Sequence, residues 1–157
     1  MKRNFYKITL LFTVCVLCNF GCSKSDEVCE LVSFTPIDWQ YMKNYTIVDD
    51  KLEDKFLVIN SQQELDAQII PSPLPGYISF KNIDFTTTTL LMGKKIIPNG
   101  AGELVSQQVN HTCKSNKYIY KVVIRNGGYT VLTKFYFGVL VPKKDAALIV
   151  FDVKVVE

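Results

Sequence analysis

From Thr86 to the C-terminus the sequence offers little to a helix and much to a sheet. Tyr118-Ile119-Tyr120-Lys121-Val122-Val123-Ile124-Arg125 is dense in aromatic and β-branched residues, the side chains that fit a pleated, half-buried surface. Thr87–Met92, Leu104–Val109, Tyr129–Val141 and Ala147–Val156 add further strand-length runs, with shorter candidates at Ile47–Val48 and Tyr77–Phe80. Asn126-Gly127-Gly128 supplies the positive φ angles of tight turns, so the strands on either side are expected to pair as a hairpin. One segment reads as helix. Ser61-Gln62-Gln63-Glu64 has the S-x-x-E spacing in which the serine accepts from the third amide while the glutamate reaches back. Leu65 and Ile69 would share its buried face with Ile70 beside them, and Pro71, Pro73 and Pro75 would end it. Together these elements predict an α+β domain, a mostly antiparallel bent sheet or partial barrel with one main helix.

The chain has 157 residues, enough for one buried core. Hydrophobic residues at 48% and charged residues at 21% exclude an intrinsically disordered chain. Lys2, Arg3 and Lys7 precede an apolar run from Ile8 to Leu17, half the roughly 20 residues a membrane span needs. This is the form of a secretory signal, and Gly21-Cys22 at its end is the form of a lipoprotein signal in which the cysteine carries the acyl chains. Asn19 stands where an aliphatic residue is usual. The expected organisation is a signal at 1–21, a lipidated Cys22 with a polar tether at 22–36, and one globular domain at 37–157. Removing the three leading cations balances the 15 acidic residues, so charge-driven nucleic-acid binding is not expected. The expected location is the cell envelope, lipid-anchored in the outer membrane and facing either the periplasm or the outside.

Cys15 and Cys18 leave with the signal and Cys22 takes lipid, so Cys29 and Cys113 remain as a pair in an oxidising compartment. They are expected to form one disulfide, whose long loop would contribute up to roughly 4 to 5 kcal/mol. No metal site is expected: His111 is the only histidine, and no C-x-x-C follows the signal.

No cofactor site or catalytic constellation is legible. His111 lies in Asn110-His111-Thr112-Cys113, read as an exposed turn between strands. Asp49, Asp50, Glu53 and Asp54 alternate with Lys51 and Lys55, which reads as a solvated loop rather than a calcium or glycosidase site. Neither G-x-S-x-G nor G-x-G-x-x-G is present. Trp39, Tyr41 and Tyr45 lie close together, and Tyr129, Phe135, Tyr136 and Phe137 lie in or near the expected hairpin; of these, Trp39, Tyr41, Tyr45 and Tyr136 are the candidate binding residues, because exposed aromatics stack on sugars or dock into partner proteins.

Ile37-Asp38-Trp39-Gln40, Leu57-Val58-Ile59-Asn60-Ser61-Gln62-Gln63-Glu64-Leu65, Ile83-Asp84-Phe85 with Thr89-Leu90-Leu91, and Val139-Leu140-Val141-Pro142-Lys143 recur in that order. In these motifs the chain resembles a group of small Bacteroidota cell-envelope lipoproteins of uncharacterised function. The helix, the Ile83-Asp84-Phe85 segment and the Val-Pro-Lys turn are also distantly similar to the PrcB-like domain of a surface protease complex's accessory subunit. That family's Gly-Gly-Tyr segment would fall near Gly100-Ala101-Gly102-Glu103, where the tyrosine is absent. The lipoprotein-like signal, the neutral β-rich domain and the lack of a catalytic constellation together point to a lipid-anchored, non-enzymatic binding or accessory domain with an envelope protein or glycan as partner. The alternatives are a small hydrolase or lyase using the acidic loop or His111, and a protease inhibitor presenting Pro71–Gly76.

Overall fold

A computed structural model describes residues 28–37, 45–48, 51–71, 83–100, 102–143 and 148–157. In chain order the elements are β1 (Val28–Leu31), β2 (Thr35–Pro36), β3 (Tyr45–Ile47), β4 (Lys55–Ile59), α1 (Gln62–Gln68) and β5 (Ile69–Pro71), followed by β6 (Thr88–Ile97), β7 (Glu103–Thr112), β8 (Lys117–Arg125), β9 (Thr133–Pro142) and β10 (Leu148–Val156). They form an α+β architecture. Sheet A has the order β1-β7-β8-β10, sheet B the order β2-β9-β6-β4, and β3 and β5 make a two-stranded ribbon. All pairings are antiparallel except β8–β10. Among the described residues no ladder joins the two sheets, so the barrel alternative gives way to two open sheets packed face to face.

The main core lies between the sheets. Period-two alternation sends Tyr118, Tyr120, Val122 and Ile124 of β8 inward to meet Phe135, Phe137, Val139 and Val141 of β9. Tyr120 and Phe137 meet edge to face, centroids 5.9 Å apart. Gly93 on β6 makes room for these rings, since a Cβ there would overlap Phe137 and stand 2.9 Å from Phe56 Cδ1. A second core lies on the far side of sheet B, where Leu90 and Met92 of β6 pack with Ile59, Leu65 and Ile69. Strand β6 is therefore covered on both faces, which is why its run of apolar residues does not alternate.

The helix starts as its sequence requires. Ser61 Oγ accepts from the Glu64 amide at 3.1 Å, and Glu64 Oε2 accepts from the Asn60 amide at 2.7 Å. Leu65 and Ile69 are buried as expected, whereas Ile70 is 54% exposed because β5 has begun and alternation turns it outward.

Two further expectations are corrected. The strands flanking Asn126-Gly127-Gly128 do not form a hairpin: β8 belongs to sheet A and β9 to sheet B. Asn126 and Gly127 make no tight turn: their amides donate to Val156 and Asn99, and a longer loop carries the chain across the sandwich. The stretch assigned to a tether contributes β1, paired to β7, and β2, paired to β9. The last strand, β10, runs parallel to its neighbour β8. The signal segment, Cys22 and the run Tyr77–Phe80 lie outside the described residues, among which no helix is long and apolar enough to cross a membrane.

Candidate functional site

The aromatic candidates separate. Trp39 and Tyr41 lie outside the described residues, and the backbone of Tyr45 begins β3 opposite Pro71. Tyr136 is half-buried, packed against the core beside α1. Alternation sends Phe135 and Phe137 into the main core on the opposite face. Because sheet B is covered on both sides, none of these three rings stands out in solvent.

The acidic loop is tied to sheet B. Asp54 accepts from the Ile96 amide at 2.9 Å and from Lys95 Nζ at 2.5 Å. Burial alone would raise its carboxyl pKa, but the bonds from Lys95 and Ile96 and the charges of Lys95 and Lys94 outweigh it and hold the pKa below the ordinary carboxylate value. Lys94, fully buried, donates to the Lys51 carbonyl at 2.7 Å. Glu53 is exposed, and Asp49 and Asp50 lie outside the described residues. Nothing described draws these acids into a concave site.

At the far end of sheet A, β1 brings Cys29 to Cys113 in disulfide geometry, their Cα atoms 5.8 Å apart. His111 is not in a turn: it lies in β7, and the turn comes later, where Asn116 takes φ 45°. Its Nε2 is 3.1 Å from Asn116 Oδ1, its Nδ1 3.7 Å from Glu30 Oε2, and its ring centroid 5.1 Å from that of Tyr118. One ligand atom from each of Cys29, His111 and Cys113 falls within 4.8 Å of the others. With the sulfurs joined, neither is a thiolate, so the group has neither a nucleophile nor a soft ligand set.

The loop between β8 and β9 forms a surface of which the sequence pointed only to Tyr129, as one of the aromatics near the expected hairpin. Tyr129, Val131 and Leu132 are 70%, 56% and 59% exposed. The expected strand Tyr129–Val141 takes in all three; the signal against this is Gly127-Gly128 just before them. The loop is held at its base. The Gly100 amide donates to the Tyr129 carbonyl at 2.7 Å, Gly127 to Asn99 at 3.2 Å, and Asn126 to Val156 at 2.7 Å. Gly100 is required by this approach: a Cβ there would stand 2.6 Å from Val131 Cγ1 and 2.9 Å from Thr133 Oγ1. At the end of β8, just before the loop, Arg125 pairs with Glu103 at 2.8 Å.

A depression of about 230 Å³ is lined by Ser33, Phe34, Thr35, Thr88, Leu140, Val141 and Pro142. Its hydroxyls have no base or acid among the lining residues, so it can offer hydrogen bonds and apolar contact but not acid–base chemistry. No protein-family model matches this chain, nor does any curated protein or solved structure.

Proposed function

We propose that the protein is a lipid-anchored, non-enzymatic component of the cell envelope, held by Cys22 and serving as a binding or accessory domain for an envelope protein or glycan. The observation that carries this reading is the placement of the tip loop. Strand β1, the part of the described chain closest to Cys22, begins opposite Thr112, at one end of β7. The tip adjoins the other end, beside Glu103 and Arg125. Ten strand residues separate the two ends, on the order of 30 Å. An anchor at the first end therefore leaves Tyr129, Val131 and Leu132 facing away from the membrane. A tyrosine ring flanked by aliphatic side chains suits stacking on a sugar or insertion into a partner's apolar pocket.

The test is cross-linked capture of tagged, anchored protein from its native envelope, comparing wild type with Y129A/V131S/L132S. Loss of an enriched partner in the variant, with membrane association intact, supports the reading. An unchanged set of partners overturns the role of the tip. Cys22→Ala should release the protein from the membrane fraction, and a variant that stays bound overturns the anchor.

A further inference from the structure

The four edges of the two sheets are not equally protected. Strand β1 has four residues and a register shift between Val28 and Glu30. Strand β2 has two residues and ends on Pro36, and β4 has five. Short strands, bulges and prolines are the usual devices that prevent edge-to-edge pairing. Strand β10 has none of these: nine residues without proline, in unbroken register with β8. Its inward row, Ile149, Phe151, Val153 and Val155, belongs to the main core. Its outward row is Leu148, Val150, Asp152, Lys154 and Val156, with Leu148 58%, Val150 39% and Val156 40% exposed.

We propose that β10 pairs antiparallel with β10 of a second copy, joining two copies of sheet A across a two-fold axis that passes through Val153. Such an axis stands normal to the sheet and sets each residue opposite its mirror position about the centre. Centred on Val153, the outward row becomes self-complementary. Asp152 faces Lys154 of the second copy, Lys154 faces the second Asp152, and Val150 faces the second Val156. Moving the axis one residue either way sets Asp152 against Asp152 or Lys154 against Lys154, so the charges select a single register. The same edge holds core side chains not fully covered within one copy. Phe56 stacks on Phe151 at 5.2 Å, yet Phe56 and Val58 of neighbouring β4 are each 39% exposed. Extension of sheet A by a second copy adds cover beside them.

The experiment uses full-length protein in detergent, its mass followed by size exclusion with light scattering. Wild type runs as a dimer. K154D sets acid against acid twice and weakens self-association about tenfold or more, whereas D152K/K154D swaps both signs and returns it to within about threefold. V150C/V156C gives a covalent dimer on oxidation; the two positions are too far apart along one strand to bridge within a copy. A monomeric wild type, a double swap as weak as K154D, or V150C/V156C chains that stay uncross-linked would each overturn the proposal.

Discussion

The central strands of sheets A and B are nine or ten residues long in both, yet among the described residues B is covered on both faces and A on one. The same residue types therefore do different work in each. On β6 the neighbours Leu90 and Leu91 are both fully buried, one beneath α1 and one against sheet A. On β8 the buried positions alternate with half-exposed ones. Burial on two faces frees a strand from alternation, and burial on one face enforces it.

The most direct way to break this contrast is a set of alanine substitutions. Leu90→Ala and Leu91→Ala should each destabilise by about 2 to 5 kcal/mol, as should Ile124→Ala on the inward face of β8. Ile119→Ala, on the outward face, should cost about 1 kcal/mol or less. Denaturant midpoints read all four. If Leu90→Ala costs no more than Ile119→Ala, sheet B is not covered on its second face.

The disulfide sharpens the contrast from the other side, because it fastens β1, an edge of the sheet with one open face. C29A or C113A should lower stability by about 2 to 4 kcal/mol, and reductant should lower the melting temperature of wild type but not of either variant. Alkylation of two thiols in the folded, unreduced mature protein would show that the pair is open.

The smallest effect concerns the clamp on sheet B. The Asp54 pKa in the folded state lies below its unfolded value near 3.8, so its contribution to stability is complete above about pH 4 and fades as pH falls through the folded value. Asp54→Asn should lower stability by well under 1 kcal/mol at neutral pH, since the carboxylate is partly exposed, and should flatten the acid limb of the stability curve. An unchanged acid limb would mean that Lys95 and Ile96 do not hold it.

How much of this was legible depended on how local the controlling forces are. The capping box at Ser61 and Glu64 is settled within four residues, and the helix begins there. The strands of the second half follow from side-chain type, and their existence was read with only modest errors at the ends. Partner choice was not legible. Asn126-Gly127-Gly128 has the composition of a tight turn, but β10 occupies the side of β8 where a hairpin partner would lie, and β9 joins sheet B. The pairing of β10 is set by a strand more than twenty residues away, beyond any local pattern. The tip failed for the opposite reason: Tyr129, Val131 and Leu132 have strand-like side chains, while hydrogen bonds to Asn99, Gly100 and Val156 hold the base of the loop. His111 was displaced by a few residues, because the turn is made by the left-handed Asn116 rather than by the segment around the histidine.

The parallel pairing of β8 and β10 also orders events in time. Sheet A takes its edge strands from the two ends of the described chain, β1 and β10. Until the ribosome has released residues 148–156, Tyr118 and Tyr120 lack the strand that flanks them on one side, while β4, β6 and β9 can already meet. Contacts this distant along the chain are slow to form. Sheet A thus stays unfinished until residues 148–156 have been made and laid beside β8.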